Sequence, residues 1–300
     1  MDLNLLWQEW QVVAQARLLF VRLTQEQQLM DVLAQTRTLY ADRYARVQTA
    51  LDRGLMTLYD VTPHLTALQD VTRQINDLER LIAQSHHDLN TLLGLTPEVT
   101  VPLVGPPALA DLDDSRIEAL LPDLPRRRPD LIALQAGYAA QEQRLRAAIL
   151  AQFPSLSVGV TRARDTSDVN TIGVGISVNL PLFSGNRGPI AVEGATRQAL
   201  FTDYQERLNA AGSGIRRILA EQRINQRQLR EIDQGLAELT QVAAKTEAAF
   251  TARNIDALAF ASMQAALLAK KIERITLAQL LLEQRVALQT LVGGQLPVRP

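Results

Sequence analysis

Apolar positions recur in alternating steps of four and three from Val12 to Leu51. The seam passes through Ala16, Leu19, Leu23, Met30, Leu33, Tyr40, Tyr44 and Val47, with Glu26 and Arg37 as polar interruptions. That spacing holds one stripe on one side of an α-helix and is a heptad seam. An unbroken helix over residues 2–53 would reach roughly 75 Å. After a break at Arg53-Gly54-Leu55, a second seam runs Leu68, Val71, Ile75, Leu78, Ile82, Ser85, Leu89 and Leu92. It stops at Gly94, a helix-ending residue type, with Pro97 shortly beyond. Residues 1–94 are predicted as an antiparallel helical hairpin with its tip near Gly54.

Residues 95–128 have no such period. Pro97, Pro102, Pro106, Pro107, Pro122 and Pro125 crowd them, which predicts a surface linker with room for one short helix near Asp114–Leu121. Pro129 can open a helix that runs to about Gln152. The period then changes from helical to two. Leu156, Val158 and Val160 alternate with Ser157, Gly159 and Thr161, and Ile172, Val174, Ile176, Val178 and Leu180 alternate with Gly173, Gly175, Ser177 and Asn179. These runs predict a β-hairpin within residues 153–183. A helical hairpin follows over 186–293, with seams Leu229, Ile232, Leu236, Leu239, Ala243, Thr246, Phe250 and Leu258, Ala261, Ala265, Leu268, Ile272, Ile275, Gln279, Leu282, Val286.

The two helical hairpins read as a repeat. LNTLLG (89–94) and LQTLVG (288–293) agree at four of six positions, and Gly54 and Asn254 are taken as equivalent tip residues that tolerate positive φ. The fold class expected is mainly α with a small β part, two homologous coiled-coil hairpins flanking one β-hairpin. Residues 1–94 form the first repeat without its strands, 95–128 the linker, and 129–300 the second repeat. Apolar residues off the main seam, among them Leu267, Leu277, Leu281, Leu288 and Leu291, give the helices a second contact face.

Composition narrows the function. Ala, Leu, Gln, Arg and Glu dominate, as in long helices, and aromatics are only 4%, too few for a large aromatic core. A net charge of −1 argues against a nucleic-acid partner gripped through a broad basic surface. The absence of cysteine excludes disulfides and thiolate chemistry. No apolar run is long enough for a membrane-spanning helix, and the start MDLNLLWQEWQ has no signal-peptide pattern. His64 stands alone, and the adjacent His86 and His87 point about 100° apart on a helix, so no metal site is expected. No nucleophile elbow, paired carboxylates or phosphate-cradling glycine loop is present, and neither enzyme activity nor a cofactor is expected.

The β-hairpin is the informative element. Its apolar face is about as long as a tilted strand needs to cross a bilayer, and its other face is small and polar, suited to a watery lumen. A lone hairpin cannot span lipid, because its edges would leave backbone groups unpaired. Several copies would have to close a barrel. Lipid contact is expected at Leu156, Val158, Val160, Ile172, Val174, Ile176, Val178 and Leu180. The lumen is expected to be lined by Ser157, Gly159, Thr161, Gly173, Gly175, Ser177 and Asn179.

RRRPDLIALQAGYAAQEQRLRAA (126–148), FPSLSVG (153–159) and GISVNLPLFSGNRGPIAVEGA (175–195) resemble the second repeat of the TolC-like outer-membrane efflux channels, the outer membrane factors. The resemblance is specific over 126–200 and extends by pattern over the rest. It implies a homotrimer whose strands join one twelve-stranded barrel in outer-membrane lipid, with helices continuing it as a tunnel through the periplasm. It also implies passive export, powered by an inner-membrane pump and docked by a periplasmic adaptor protein. Each repeat of that family carries two strands. This chain, read as a C-terminal portion of a longer channel or as a truncated product, without the first strand pair or an export signal, would supply half the strands from three copies.

The family's hairpin tips, which meet the adaptor, carry a Gly, a small hydroxyl residue three later, Leu or Ile four later and Asp six later. Gly54, Thr57, Leu58 and Asp60 fit this, whereas Asn254, Ala257, Leu258 and Phe260 depart from it. Adaptor contact is thus expected at Arg53, Gly54, Leu55, Thr57 and Asp60 on one tip and at Arg253, Asn254, Ile255 and Leu258 on the other. Where some relatives line the closed entrance with aspartates, this chain has Phe260 and Met263, an expected apolar constriction. The rival reading is a soluble coiled-coil interaction protein, or a periplasmic adaptor, whose β-hairpin packs on its own helices.

Overall fold

A stretch of 50 residues without Gly or Pro, rich in Ala, Leu, Gln and Arg, forms helix α1 (Leu3–Asp52). Nothing in it breaks the hydrogen-bond ladder until Gly54, whose φ of +70° lets the chain reverse. The computed structural model describes residues 3–105, 109, 112–164, 170–179 and 185–298. Beyond the tip, α2 (Leu58–Leu93) returns and ends at Gly94, left-handed at φ 68°. The linker holds α3 (Asp114–Ala119), a 3-10 turn (Leu121–Asp123) and α4 (Leu124–Arg127). Helix α5 (Pro129–Leu150) leads into strands β1 (Ser155–Arg164) and β2 (Asn170–Asn179), followed by α6 (Arg187–Thr251) and α7 (Ala257–Val292).

The chain divides into two compact units. In the first, residues 1–4 and 122–212, α5 lies beside the start of α6, with the β-hairpin between them in sequence. Polar side chains tie the two helices together. Gln141 Nε2 donates to the Glu193 carbonyl at 3.1 Å, and Asn186 Nδ2 to the Ala148 carbonyl at 2.7 Å. Arg197 pairs with Glu142 and lies 5.1 Å from the centre of the Tyr138 ring. At the start of α5, Arg128 and Asp130 are both buried and joined by two bonds, Nε–Oδ1 at 3.0 Å and Nη2–Oδ2 at 2.7 Å. Pairing through the guanidinium fork is what makes two buried charges tolerable there.

The second unit, residues 5–121 and 213–300, holds both long hairpins. The seam read from sequence becomes its core. Leu33 and Tyr40 of α1 pack with Val71, Ile75 and Leu78 of α2 and Leu268 of α7. A second cluster joins Val21 to Leu282 and Val286. The last turns of α7 are buried on several sides, through Leu281, Leu282, Gln284, Arg285, Val286, Leu288 and Val292. That is the second contact face, and it explains why Leu281 and Leu288 lie off the main seam. Gln222 of α6, 2% exposed, donates to the Leu281 carbonyl at 2.8 Å.

The linker is more firmly docked than its prolines predict. Asn90 Nδ2 donates to the carbonyls of Thr96, Pro97 and Val99 at 2.8–3.3 Å. Leu112 bridges Val298, and Arg223 of α6 pairs with Asp114 at 2.6 Å and Glu118 at 3.3 Å. Ile117 is fully buried. A short helix with one apolar anchor and an ion pair thus fixes a stretch that has no hydrophobic period of its own.

Candidate functional site

The strands are antiparallel, with Leu156 opposite Val178, Val158 opposite Ile176 and Val160 opposite Val174. Directly opposed residues point to the same face. These pairs and Ile172 therefore make one continuous apolar surface. All seven side chains are exposed, from 53% at Val178 to 72% at Val160 and Val174. The other face pairs Ser157 with Ser177, Gly159 with Gly175 and Thr161 with Gly173, and Asn179 faces Ser155. Every residue assigned from sequence to one face falls on one face; Leu180 lies outside the described residues. At the Thr161–Gly173 pair, a Cβ on the glycine would come within 3.1 Å of Thr161 Oγ1.

An exposed apolar face on a two-stranded sheet with two free edges is not a stable arrangement in water. The rival in which this hairpin packs onto the chain's own helices does not describe the structure. Among the described residues no helix is long and apolar enough to cross a membrane, which says nothing of strands.

The two tips share one architecture, displaced by 199 residues: α2 and α7 bounds differ by 257 − 58 and by 292 − 93. In the first tip, Gly54 N–H donates to the Leu51 carbonyl at 2.8 Å and Leu55 N–H to Ala50 at 2.9 Å. In the second, Arg253 donates to Phe250 at 2.9 Å and Asn254 to Ala249 at 2.8 Å. The left-handed residue is Arg253, φ 59°. The equivalence of Gly54 with Asn254 is thus corrected by one position: Gly54 matches Arg253. Thr57 and Asp256 become the matching N-caps. Asp60 accepts from the Thr57 N–H at 2.9 Å and hydroxyl at 2.7 Å, which holds its carboxyl below the usual range. Asp256 accepts from the Ala259 N–H at 2.6 Å.

The same shift corrects the constriction. Phe260 matches Val61, and both are buried, at 1% and 4% exposure. Its ring stacks on Phe250 at 4.7 Å and lies under the Arg43 guanidinium at 4.3 Å. It belongs to the core between the hairpins and does not line an entrance; Met263 is half-buried one turn on. The exposed tip residues are Arg53, Gly54, Leu55, Thr57, Arg253, Asn254 and Leu258, with Ile255 and Asp60 half-buried. Leu55, Leu58, Tyr59 and Leu258 are 49–70% exposed. Between the tips is a cleft of about 380 Å³, walled by Val47, Leu55 and Met56 on one side and Phe250, Ile255 and Ala257 on the other.

Beneath the cleft is a cluster that sequence reasoning missed. His64 of α2, 4% exposed, sits 5.7 Å from the Phe250 ring and 6.1 Å from that of Phe260, and its Nε2 has no hydrogen-bond partner. Arg43 of α1 also pairs with Glu247 of α6 at 2.8 Å. Burial, and then the nearby Arg43 charge, depress the His64 pKa; Asp60 partly opposes them. All four long helices thus meet at one knot. Each member is unremarkable in its own segment, so no local signal announces it. Among the described residues no three His, Asp or Glu side chains cluster as a metal site.

Residues 120–294 match the outer membrane efflux protein family. Over 168 residues, 53% of this chain, the sequence is 26% identical to the toluene efflux pump outer membrane protein TtgC of Pseudomonas putida, covering 34% of that protein. The chain thus spans about a third of the length of the curated relatives it matches. The fold superimposes on the outer-membrane channel OprN with a TM-score of 0.87 at 18% identity, covering 98% of this chain and 68% of that one. It superimposes on the outer membrane protein VceC of Vibrio cholerae with a TM-score of 0.83 at 16% identity, covering 95% and 70%. With the matched segment including α5, the β-hairpin and the second helical hairpin, the chain belongs to the outer membrane efflux protein family.

Proposed function

We propose that this chain is a subunit of an outer-membrane exit duct, conducting small molecules passively out of the cell. The observation that carries the reading is the β-hairpin. Its apolar face is unbroken from the Leu156–Val178 pair to the Val160–Val174 pair, its opposite face is small and polar, and among the described residues both faces and both edges are uncovered. Further strands on each side, from other protomers of a homotrimer and from a first-repeat strand pair, would satisfy the edges and close a barrel. Leu156, Val158, Val160, Ile172, Val174, Ile176 and Val178 then face lipid. Ser157, Gly159, Thr161, Gly173, Gly175, Ser177 and Asn179 face the lumen. The duct stands in the outer membrane and periplasm of a Gram-negative bacterium, as part of a tripartite efflux or type I export system.

The tips supply the docking end. Arg53, Gly54, Leu55, Thr57 and Asp60 with Arg253, Asn254, Ile255 and Leu258 would meet a periplasmic adaptor, whose inner-membrane pump provides the energy. The chain holds no nucleotide-binding or redox motif that could power transport itself. In the native host, deleting the gene should raise intracellular accumulation of a fluorescent efflux substrate such as ethidium. The wild-type gene and Ser177→Arg should restore export, and Val174→Arg should not. Accumulation unchanged by the deletion, or restored equally by both variants, defeats the reading.

A further inference from the structure

The knot beneath the tip cleft is built around a group that can change its charge. His64 is 4% exposed, lies against the Phe250 and Phe260 rings, and makes no hydrogen bond at Nε2. The Arg43 guanidinium lies 4.3 Å from the centre of the same Phe260 ring. Its Nη2 holds Glu247 at 2.8 Å, while its Nη1 is buried without a partner.

Every long helix contributes to the surroundings of the imidazole. On α1 stands Arg43, with Tyr40 one turn before it; on α2 itself stands Asp60; Glu247 of α6 acts through Arg43. Helices α6 and α7 add the Phe250 and Phe260 rings. Arg46, Arg253 and Asp256 line the cleft above. The charges acting on His64 are Arg43, which disfavours a proton there, and Asp60, which favours one.

This arrangement has two states. A neutral imidazole packs between the phenylalanine rings. A charged one in the same place has a second cation nearby and no acceptor at Nε2, which is strongly unfavourable. An alternative partner is close. Asp60 precedes His64 by four residues on the same face of α2 and is only half-buried. An imidazolium that swings towards it gains an ion pair and vacates the aromatic pocket. It also draws on the carboxylate that accepts from the Thr57 N–H and hydroxyl at the cap of α2. Both changes fall where α2 is fastened to α6 and α7.

On the exit-duct reading above, we propose that His64 is a proton-operated lock on the tip. Uncharged, it fastens α2 to α6 and α7; protonated, it leaves the knot, the two helical hairpins part at their tips, and the duct opens when the periplasm is acidified. A freed imidazole titrates near its ordinary 6.5 and the packed one lower. The open form therefore binds the proton more readily, and between pH 7.5 and 5.5 the ratio of open to closed tips rises roughly five- to tenfold.

The protein extracted from outer membranes in detergent is labelled with a water-soluble methanethiosulfonate at pH 7.5 and 5.5. The chain has no cysteine of its own. Val61→Cys, at a position 4% exposed, reports opening, and Tyr59→Cys, at one 67% exposed, corrects for the reactivity of the thiol at each pH. The ratio of the two rates should rise roughly five- to tenfold on acidification with His64 present. It should stay flat with His64→Gln and with His64→Phe, which fills the knot without a titrating group and so covers the case in which glutamine loosens the tip at every pH. No rise with His64 present, or an equal rise with His64→Phe, overturns the lock. Conductance of the wild type and of His64→Phe in planar bilayers separates the two readings. Acid should raise the open probability of the wild type alone. Protein that conducts at neither pH defeats the exit-duct reading, and the labelling ratio still decides the lock. Conduction indifferent to pH, beside a labelling ratio that responds, refutes control of the duct by His64.

Discussion

Replacing Phe260 by alanine tests how the tips are held together. The ring is 1% exposed, stacks on Phe250 at 4.7 Å with planes 17° apart, and carries the Arg43 guanidinium on its face at 4.3 Å. Truncating a buried phenylalanine costs about 3–5 kcal/mol, through lost transfer energy and the cavity left behind. Stacking and the cation contact account for part of that figure. The loss should be local, because the ring's neighbours His64, Phe250 and Arg43 are all at the tip end of their helices. Hydrogen exchange is therefore the suitable assay, since it reads local opening. At about 1.4 kcal/mol per tenfold, protection of the amides in residues 257–264 and 61–68 should fall at least a hundredfold, or to the limit set by the tip's own stability. Leu258→Ala, two residues away on the opposite side of the helix and 49% exposed, should change protection by less than threefold. An equally small change for Phe260→Ala would show that the ring is not part of this core. Phe260→Asp should then alter conductance by lining a pore, as the sequence alone implied, and leave tip protection intact.

The remaining expectations concern the polar groups of the helical unit. The His64 pKa is lowered by burial and by Arg43, with Asp60 opposing and Glu247 paired to Arg43. The folded tip therefore holds the neutral imidazole. Its contribution to stability is complete above the unfolded value of 6.5 and is lost as pH falls below it, through the lower folded pKa. Limited proteolysis of the tip should accelerate between pH 7.5 and 5.5 in the wild type and show no such step in His64→Gln. Glu26, buried and accepting from Ser85 Oγ at 3.2 Å, has its pKa raised chiefly by burial. Its contribution is full below the unfolded value of 4.5 and is lost as pH rises through the raised folded pKa. Glu26→Gln should thus raise the denaturation midpoint at pH 7, and the gain should vanish near pH 4. Asp256→Ala removes the cap of α7 and should cost about 1 kcal/mol, read as faster exchange in its first turn, with Asp256→Asn close to wild type.

Helix and strand positions were largely legible in the sequence, because each element declares its own period. Leu33, Tyr40, Val71, Ile75, Leu78 and Leu268, predicted as seam residues, share one core. The strand faces were equally legible, since alternation alone assigns them. The tip was not. Aligning Gly54 with Asn254 follows residue type, and Arg253 takes the left-handed position although a non-glycine residue there is uncommon. On a helix a one-residue slip turns a position by about 100°, enough to move Phe260 from core to lumen. The repeat's own C-terminal glycines, Gly94 and Gly293, carry the correct displacement of 199. The His64–Arg43–Phe250–Phe260 knot was out of reach for a different reason. It joins residues from four helices, and no segment holds more than one member except by distant folding.

The central claim, that β1 and β2 are barrel strands with one face in lipid and one in water, can be read residue by residue, because the chain has no cysteine to give background. In outer membranes, Val174→Cys, Ile176→Cys and Val178→Cys are compared with Gly175→Cys, Ser177→Cys and Asn179→Cys, using a charged, water-soluble maleimide and a lipid-soluble one. Strict alternation is expected, with the first three modified only by the lipid-soluble reagent and the second three by the water-soluble one. Uniform modification of all six positions by the water-soluble reagent would contradict it.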